Sequence, residues 1–226
     1  MEITWLGQAG LLFQKDGFNI MIDPYLSDSV KKIEPHNYRR KPVDERFFDV
    51  KPDVLIITHC HLDHLDPETL DVFFSKFSGM TVLAPDGCWQ TLRQTYKGNN
   101  NYVLFNTGTT WTQNGITFKA VKAEHSDKNA IGVVITSDKT YYATGDTLLN
   151  DQVVACAKKE NPDVVFLPVN GVGNNMNMVD GAKFCSLLGD VLAVPVHCGL
   201  FDELDANLFP YENKVVPAFF QKIDIK

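Results

Sequence analysis

The sequence predicts an α/β fold in which two β-sheets pack face to face and helices cover their outer surfaces. Three observations carry this expectation. Many short runs are wholly apolar, as suits strands covered on both faces. Helical segments with one apolar face are interleaved with them. The middle of the chain runs through several strands with no helix between them, which an ordinary doubly wound sheet, the open alternative, would not require. With 226 residues, the chain is sized for a single domain over 1–226.

Taken in order, "EITWLG", "LLFQ" and "FNIMID" read as short strands punctuated by Gly7, Gly10 and Gly17. Residues 24–52 are polar, charged and proline-bearing, and predict a long irregular connection of the kind that carries function. The run Val54 to Ile57 is a buried strand. A helix follows: Asp66 is a good N-cap, Pro67 fits the first helical position, and Leu70, Phe73, Phe74 and Phe77 make one apolar face, with Gly79 as the expected stop. "TVLAP" is a strand and "DGCWQTLRQTY" a helix. "YVLF", "ITFKAVKA", "AIGVVITS" and "KTYYATG" are strands. "NDQVVACAKKE" and "NMVDGAKFCSLL" are helices, each followed by a strand, "DVVFLPVN" and "VLAVPVH". Pro210 and Pro217 break the tail into mixed structure.

Charge and cysteine usage narrow the function. The formal charge of -7 argues against a main role in gripping nucleic acid. The cations Lys31, Lys32, Arg39, Arg40, Lys41 and Arg46 crowd one stretch and read chiefly as solvated loop charge, with Arg39 and Arg40 as anion contacts for a substrate. Five scattered cysteines without a CxxC pair predict reduced thiols and a cytoplasmic protein. The first residues show no secretory pattern, and no run reaches the ~18 apolar residues of a membrane span.

The chemistry concentrates in "THCHLDHLDP". His59, His61, Asp63 and His64 fall within six positions, in a chain with six histidines, between a buried strand and a capped helix. Imidazole nitrogen and carboxylate oxygen together suit borderline divalent metals. In an extended segment His59 and His61 point to one side and reach one ion; Asp63 and His64, in the following bend, can hold a second. His125, Asp146 and His197 each follow an apolar run and are metal-type residues at strand ends. His36 has no strand before it and reads as a non-ligand. Cys60 alternates away from the histidines and is expected to pack inward, and Cys198 to lie in the core. Asn170, in "NGVGNNMNM", is a candidate pocket residue.

The ordered string of His59, His61, Asp63, His64, His125, Asp146 and His197 resembles the metallo-β-lactamase superfamily over nearly the whole chain. The resemblance implies an αββα sandwich with the site along one edge. It implies that His59, His61 and His125 bind one cation and Asp63, His64 and His197 the other, with Asp146 bridging and Asp23 supporting the histidines. "WLGQAG", "IDPYLSD", "ATGDT" and "LPVNG" look most like the branch of bacterial cytoplasmic hydrolases related to L-ascorbate-6-phosphate lactonase. The chain departs from that lactonase in lacking its N-terminal extension and in carrying a histidine at position 125.

The functional expectation is a hydrolase with two divalent ions, zinc or manganese. The ions bring a hydroxide within reach at neutral pH by drawing the pKa of water toward about 7. Asp63 is either ligand or base, and Asp23 the residue that orients a ligand histidine. The expected substrate is a small anionic molecule, a lactone or other ester. A phosphodiesterase or nuclease is the alternative, and a diiron redox protein a more distant one. A homo-oligomer is compatible with the sequence; a membrane partner is not expected.

Overall fold

The computed structural model describes residues 1–225 and contains two six-stranded sheets, each formed by a continuous half of the chain. The first sheet holds β1 (Glu2–Gly7), β2 (Gly10–Lys15), β3 (Phe18–Ile22), β4 (Val54–Ile56), β5 (Thr81–Ala84) and β6 (Asn101–Leu104) in chain order. The second holds β7 (Thr110–Gln113), β8 (Ile116–Lys122), β9 (Ile131–Thr136), β10 (Thr140–Ala143), β11 (Val164–Pro168) and β12 (Leu192–Val196), again in order. Each sheet begins with antiparallel hairpins and ends with parallel strands. The parallel pairings need crossovers. In the first half the irregular 24–52 connection makes the β3–β4 crossover, and helices α1 (Pro67–Lys76) and α2 (Asp86–Thr95) the next two; α3 (Asp151–Glu160) and α4 (Met178–Leu188) serve the second half.

Three apolar interfaces make the layers. Between the sheets, Trp5, Phe13, Ile20 and Val54 face Phe118, Val133, Tyr141 and Phe166. Phe13 joins the two sheets directly: its ring meets Tyr141 and Phe166 edge-on, with centroids 5.7 and 5.6 Å apart. On the outer face of the first sheet, Leu70 and Phe73 of α1 and Leu92 of α2 cover Met21, Leu55 and Val82. On the outer face of the second, Val153 and Ala157 of α3 and Phe184 of α4 cover Val134, Tyr142 and Val165. The architecture is therefore an αββα sandwich, and the doubly wound alternative is set aside. Each large side chain fully buried this way stabilises the fold by about 1.5–3 kcal/mol.

Local chemistry sets the element ends. Asp66 caps α1, accepting from the backbone N–H groups of Glu68 and Thr69, with Pro67 in the first turn. The helix stops at Lys76, because Phe77 turns extended at φ -126 and ψ 150. That is earlier than Gly79, which instead supplies a left-handed turn at φ +74. In β9, Gly132 makes room for a neighbour. A Cβ there would stand 2.8 Å from Tyr142 Cε2 and 2.9 Å from the Thr144 carbonyl.

The tail is mainly irregular, and it covers two sheet edges. Val215 N donates to the Ala193 carbonyl at 2.9 Å, so this stretch runs beside β12. Further on, Phe220 N and Ile223 N donate to the carbonyls of Trp5 and Ile3, each at 2.8 Å, beside β1. The long 24–52 connection is irregular as expected, with two short 3-10 turns at Val30–Lys32 and Glu45–Asp49. Among the described residues no helix is long and apolar enough to cross a membrane.

Candidate metal centre

The strand directions bring one edge of the sandwich into use. β1, β3 and β4 of the first sheet, and β8, β10, β11 and β12 of the second, all finish at the same edge. Gln8 follows β1, Asp23 follows β3, and the histidine cluster lies just beyond β4. His125, Asp146, Asn170 and His197 lie just beyond β8, β10, β11 and β12. Clefts at the carboxyl ends of strands are the usual ligand site of such sheets. The backbone bends sharply here: Gln8, Asp23 and His197 take left-handed φ values of 46, 44 and 55. Gly145 does so before Asp146, and a Cβ on it would lie 2.6 Å from the Ile131 carbonyl.

The first group is a triangle of imidazoles. His61 Nδ1 lies 3.0 Å from His59 Nε2 and 3.0 Å from His125 Nε2. Partners on the far side of two rings assign their tautomers. The Thr58 hydroxyl donates to Asp23 Oδ2 at 2.5 Å, so its lone pair accepts from His59 Nδ1–H at 3.1 Å. The Asn174 carbonyl accepts from His125 Nδ1–H at 3.2 Å. The Nε2 lone pairs of His59 and His125 therefore converge on one point beside His61.

The second group is Asp63, His64 and His197. Asp23 is fully buried and accepts three hydrogen bonds: from Thr58 N, from the Thr58 hydroxyl and, at 2.8 Å, from His64 Nδ1. His64 Nε2 then faces Asp146 Oδ1 at 3.4 Å and Asp63 Oδ2 at 3.7 Å. His197 Nε2 stands 3.1 Å from Asp63 Oδ2 and 3.3 Å from Asp146 Oδ2. Asp146 Oδ2 also lies 3.9 Å from His125 Nε2, so this carboxylate stands between the two groups.

These contacts leave a deficit that a cation would fill. His64 Nε2, His197 Nε2 and Asp146 Oδ1 are buried and form no aligned hydrogen bond. Buried polar atoms without partners are rare and costly. The electrostatics point the same way. Burial acts to lower His64, but Asp146, Asp63 and Asp23 outweigh it and hold the ring well above the usual histidine range. Burial also works against His197, yet Asp146 and Asp63 push it up to about 10. Burial acts to raise Asp63 and Asp146, but His64 and His197 hold both below the usual carboxylate range. His59 is the reverse case: burial, helped by His64, holds it well below the histidine range, as a neutral nitrogen ligand must be. The donors are imidazole and carboxylate, four from one stretch and three from the ends of separate strands. This set fits divalent zinc or manganese.

A cavity of about 590 Å³ opens beside His61, Asp63, Asp146 and His197. Asn170 is on its wall, as expected. Arg39 and Arg40, expected as anion contacts, are not. Arg39 Nη1 donates to the Tyr25 carbonyl at 2.8 Å, and the Arg40 guanidinium donates to the Phe201 carbonyl. Arg39 ties the 24–52 connection to itself, with its Nη2 buried and unpartnered, and Arg40 ties that connection to the backbone at Phe201. His36 is exposed and away from the ligand groups. Cys198 is in the core, but Cys60 is exposed rather than inward. Strand alternation does not reach it, because β4 stops at Ile56 and the chain turns. Its backbone N–H binds Asp127 Oδ2 at 3.0 Å, and its thiol lies near Cys88.

Gln8 and Asn175, like Thr58, are residues of the site that escaped sequence reasoning. Gln8 Nε2 donates to Asp63 Oδ2 at 3.0 Å, and the Gln8 carbonyl accepts from His197 N at 2.9 Å. Asn175 Nδ2 donates to Asp146 Oδ2 at 2.8 Å. Only one signal hinted at Gln8: a polar residue between glycines directly after an apolar strand.

Comparison with known proteins agrees with this geometry. Residues 18–198 match the family described as the beta-lactamase superfamily domain. A protein of Methanopyrus kandleri named as a UPF0173 metal-dependent hydrolase is 28% identical, over 95% of this chain and 91% of its own. A metallo hydrolase of the archaeon Ignicoccus hospitalis, Igni18, superimposes with a TM-score of 0.80 at 22% identity, covering 100% of this chain and 99% of its own. An isothiocyanate hydrolase from Delia radicum gut bacteria superimposes at 0.79 with 20% identity and the same coverage. At these identities the two structures establish the shared fold.

Proposed function

This chain belongs to the beta-lactamase superfamily, and from that premise we propose that it is a metal-dependent hydrolase of small carboxylic esters or lactones. The observation that carries the reading is the convergence of imidazole lone pairs and carboxylates from both sheets on one edge, where three buried polar atoms lack partners. His59, His61 and His125 would hold one ion and Asp63, His64 and His197 the other, with Asp146 between them. Ions bound there supply Lewis acidity and water activation at neutral pH.

The remaining work falls to the chain. Asp23 holds His64 by its Nδ1 and, through the Thr58 hydroxyl, holds His59. Gln8 and Asn175 each hold one carboxylate oxygen of the ligand set. Rotamers locked in this way keep the reacting geometry without reorganisation. Asp63 is half-buried and lines the cavity; with only one ion bound, it is the group that would take a proton from a nucleophilic water. The cavity has the volume of a small-molecule site.

The test is metal analysis of the purified protein, followed by an ester, lactone and phosphodiester panel with zinc or manganese supplied. We expect ester or lactone cleavage. His61 is exposed, so His61→Ala should stay folded, lose most bound metal and lose hydrolysis. Full activity in that variant would refute the assignment. Cleavage of phosphodiesters alone would move the substrate class.

A further inference from the structure

The lining of the cavity beside the ligands carries negative charge and hydrogen-bond acceptors. Glu34 and Asp202 are both part of it, and among the described residues no lysine or arginine is. The nearby cations are committed elsewhere. Arg39 and Arg40 bind backbone carbonyls, Lys32 Nζ pairs with Glu68 at 2.6 Å, and Lys31 Nζ lies 3.8 Å from Asp28. Fields of one sign in a cleft with low-dielectric walls favour ligands of the other sign.

A second observation is independent of the charges. Asn175 is 5% exposed and lines the cavity, and its Oδ1 has no partner. Its amide orientation is set, because Nδ2 donates to Asp146. Asn170 Oδ1, on the same wall, is also buried and unpartnered. Two acceptors without donors await N–H groups. Apolar side chains also line it: Ile33 is 73% exposed and Val172 64%, and Phe201 joins them.

We propose that the substrate's non-reacting part is cationic or neutral rather than anionic. It presents an N–H donor to Asn170 and Asn175 and an apolar body to Ile33, Val172 and Phe201. This rests on the hydrolase reading above and narrows its substrate to amine-bearing esters or lactones. It also reverses the anionic expectation drawn from Arg39 and Arg40.

Three hydroxamates of similar length test it by isothermal titration calorimetry on zinc-loaded protein: γ-aminobutyryl hydroxamate, pentanoyl hydroxamate and succinate monohydroxamate. All share the metal-binding head and differ in the charge of the tail. The ammonium tail should bind about tenfold tighter than the carboxylate tail, with the neutral tail between them. The double variant Glu34→Gln, Asp202→Asn should shrink that gap to about threefold or less. Equal or tighter binding of the carboxylate tail overturns the proposal, as does an undiminished gap in the double variant. Zinc-loaded protein that cleaves esters yet prefers the carboxylate tail refutes this inference alone. Protein that takes up no zinc and binds no hydroxamate refutes the hydrolase reading, and this inference with it.

Discussion

At the scale of single residues, the site depends on side chains that hold other side chains. Gln8 is 2% exposed and ties Asp63 and the His197 backbone to the end of β1. Gln8→Ala keeps the backbone contact and loses the amide. Support of this kind is worth about 10–100-fold in metal affinity. The second ion should therefore weaken by about that factor while the His59, His61 and His125 group keeps its own. Metal stoichiometry falling from two to one at low free zinc would show this, and unchanged stoichiometry and affinity would contradict it. The ligand types were legible in the sequence because four of them crowd six positions. Gln8 and Asn175 were not, since an amide acquires meaning only from the carboxylate that folding places beside it. Arg39 and Arg40 misled for a related reason. A charge on a loop carries no information about which way the loop will turn it, and here both turn to backbone carbonyls.

At the scale of elements, caps and periodicity located all four α-helices, and apolar runs located eleven of the twelve strands. The missed strand was β7, whose Thr110, Trp111, Thr112 and Gln113 alternate between exposed and half-buried. It lies on an edge with none of its side chains fully buried, so it carries no apolar run. Inside the sheet the constraint is tighter. Gly132 sits in β9 against the Tyr142 ring, and the approach leaves no space for a methyl group. Gly132→Ala should destabilise the protein by about 1–3 kcal/mol through overpacking. Urea unfolding would read the loss as a lower midpoint with an unchanged slope, and an unaltered midpoint would mean the sheet yields more easily than the geometry implies.

At the scale of the whole molecule, ligands come from both halves of the chain. His59, His61, Asp63 and His64 belong to the first half, and His125, Asp146 and His197 to the second. A bound ion therefore joins the two sheets, and the unfolded chain offers no such site. Zinc or manganese at about a thousand times its dissociation constant should add about 4 kcal/mol of stability per site. A chelator should lower the melting temperature accordingly; no shift would mean that the ions are not held across the sheets. The sandwich itself was legible only in outline. Strand count and helix placement suggested two sheets, but no local pattern announces that each half of the chain closes its own sheet in strict order.

The closing stretch of the chain has a consequence of its own. β1 and β12 would each offer a bare row of backbone groups to any passing strand, and such rows recruit other molecules into ladders. Residues 213–223 lie along both, first beside β12 and then beside β1. A cut near Pro210 should unmask the two flanks together and leave both open to another strand.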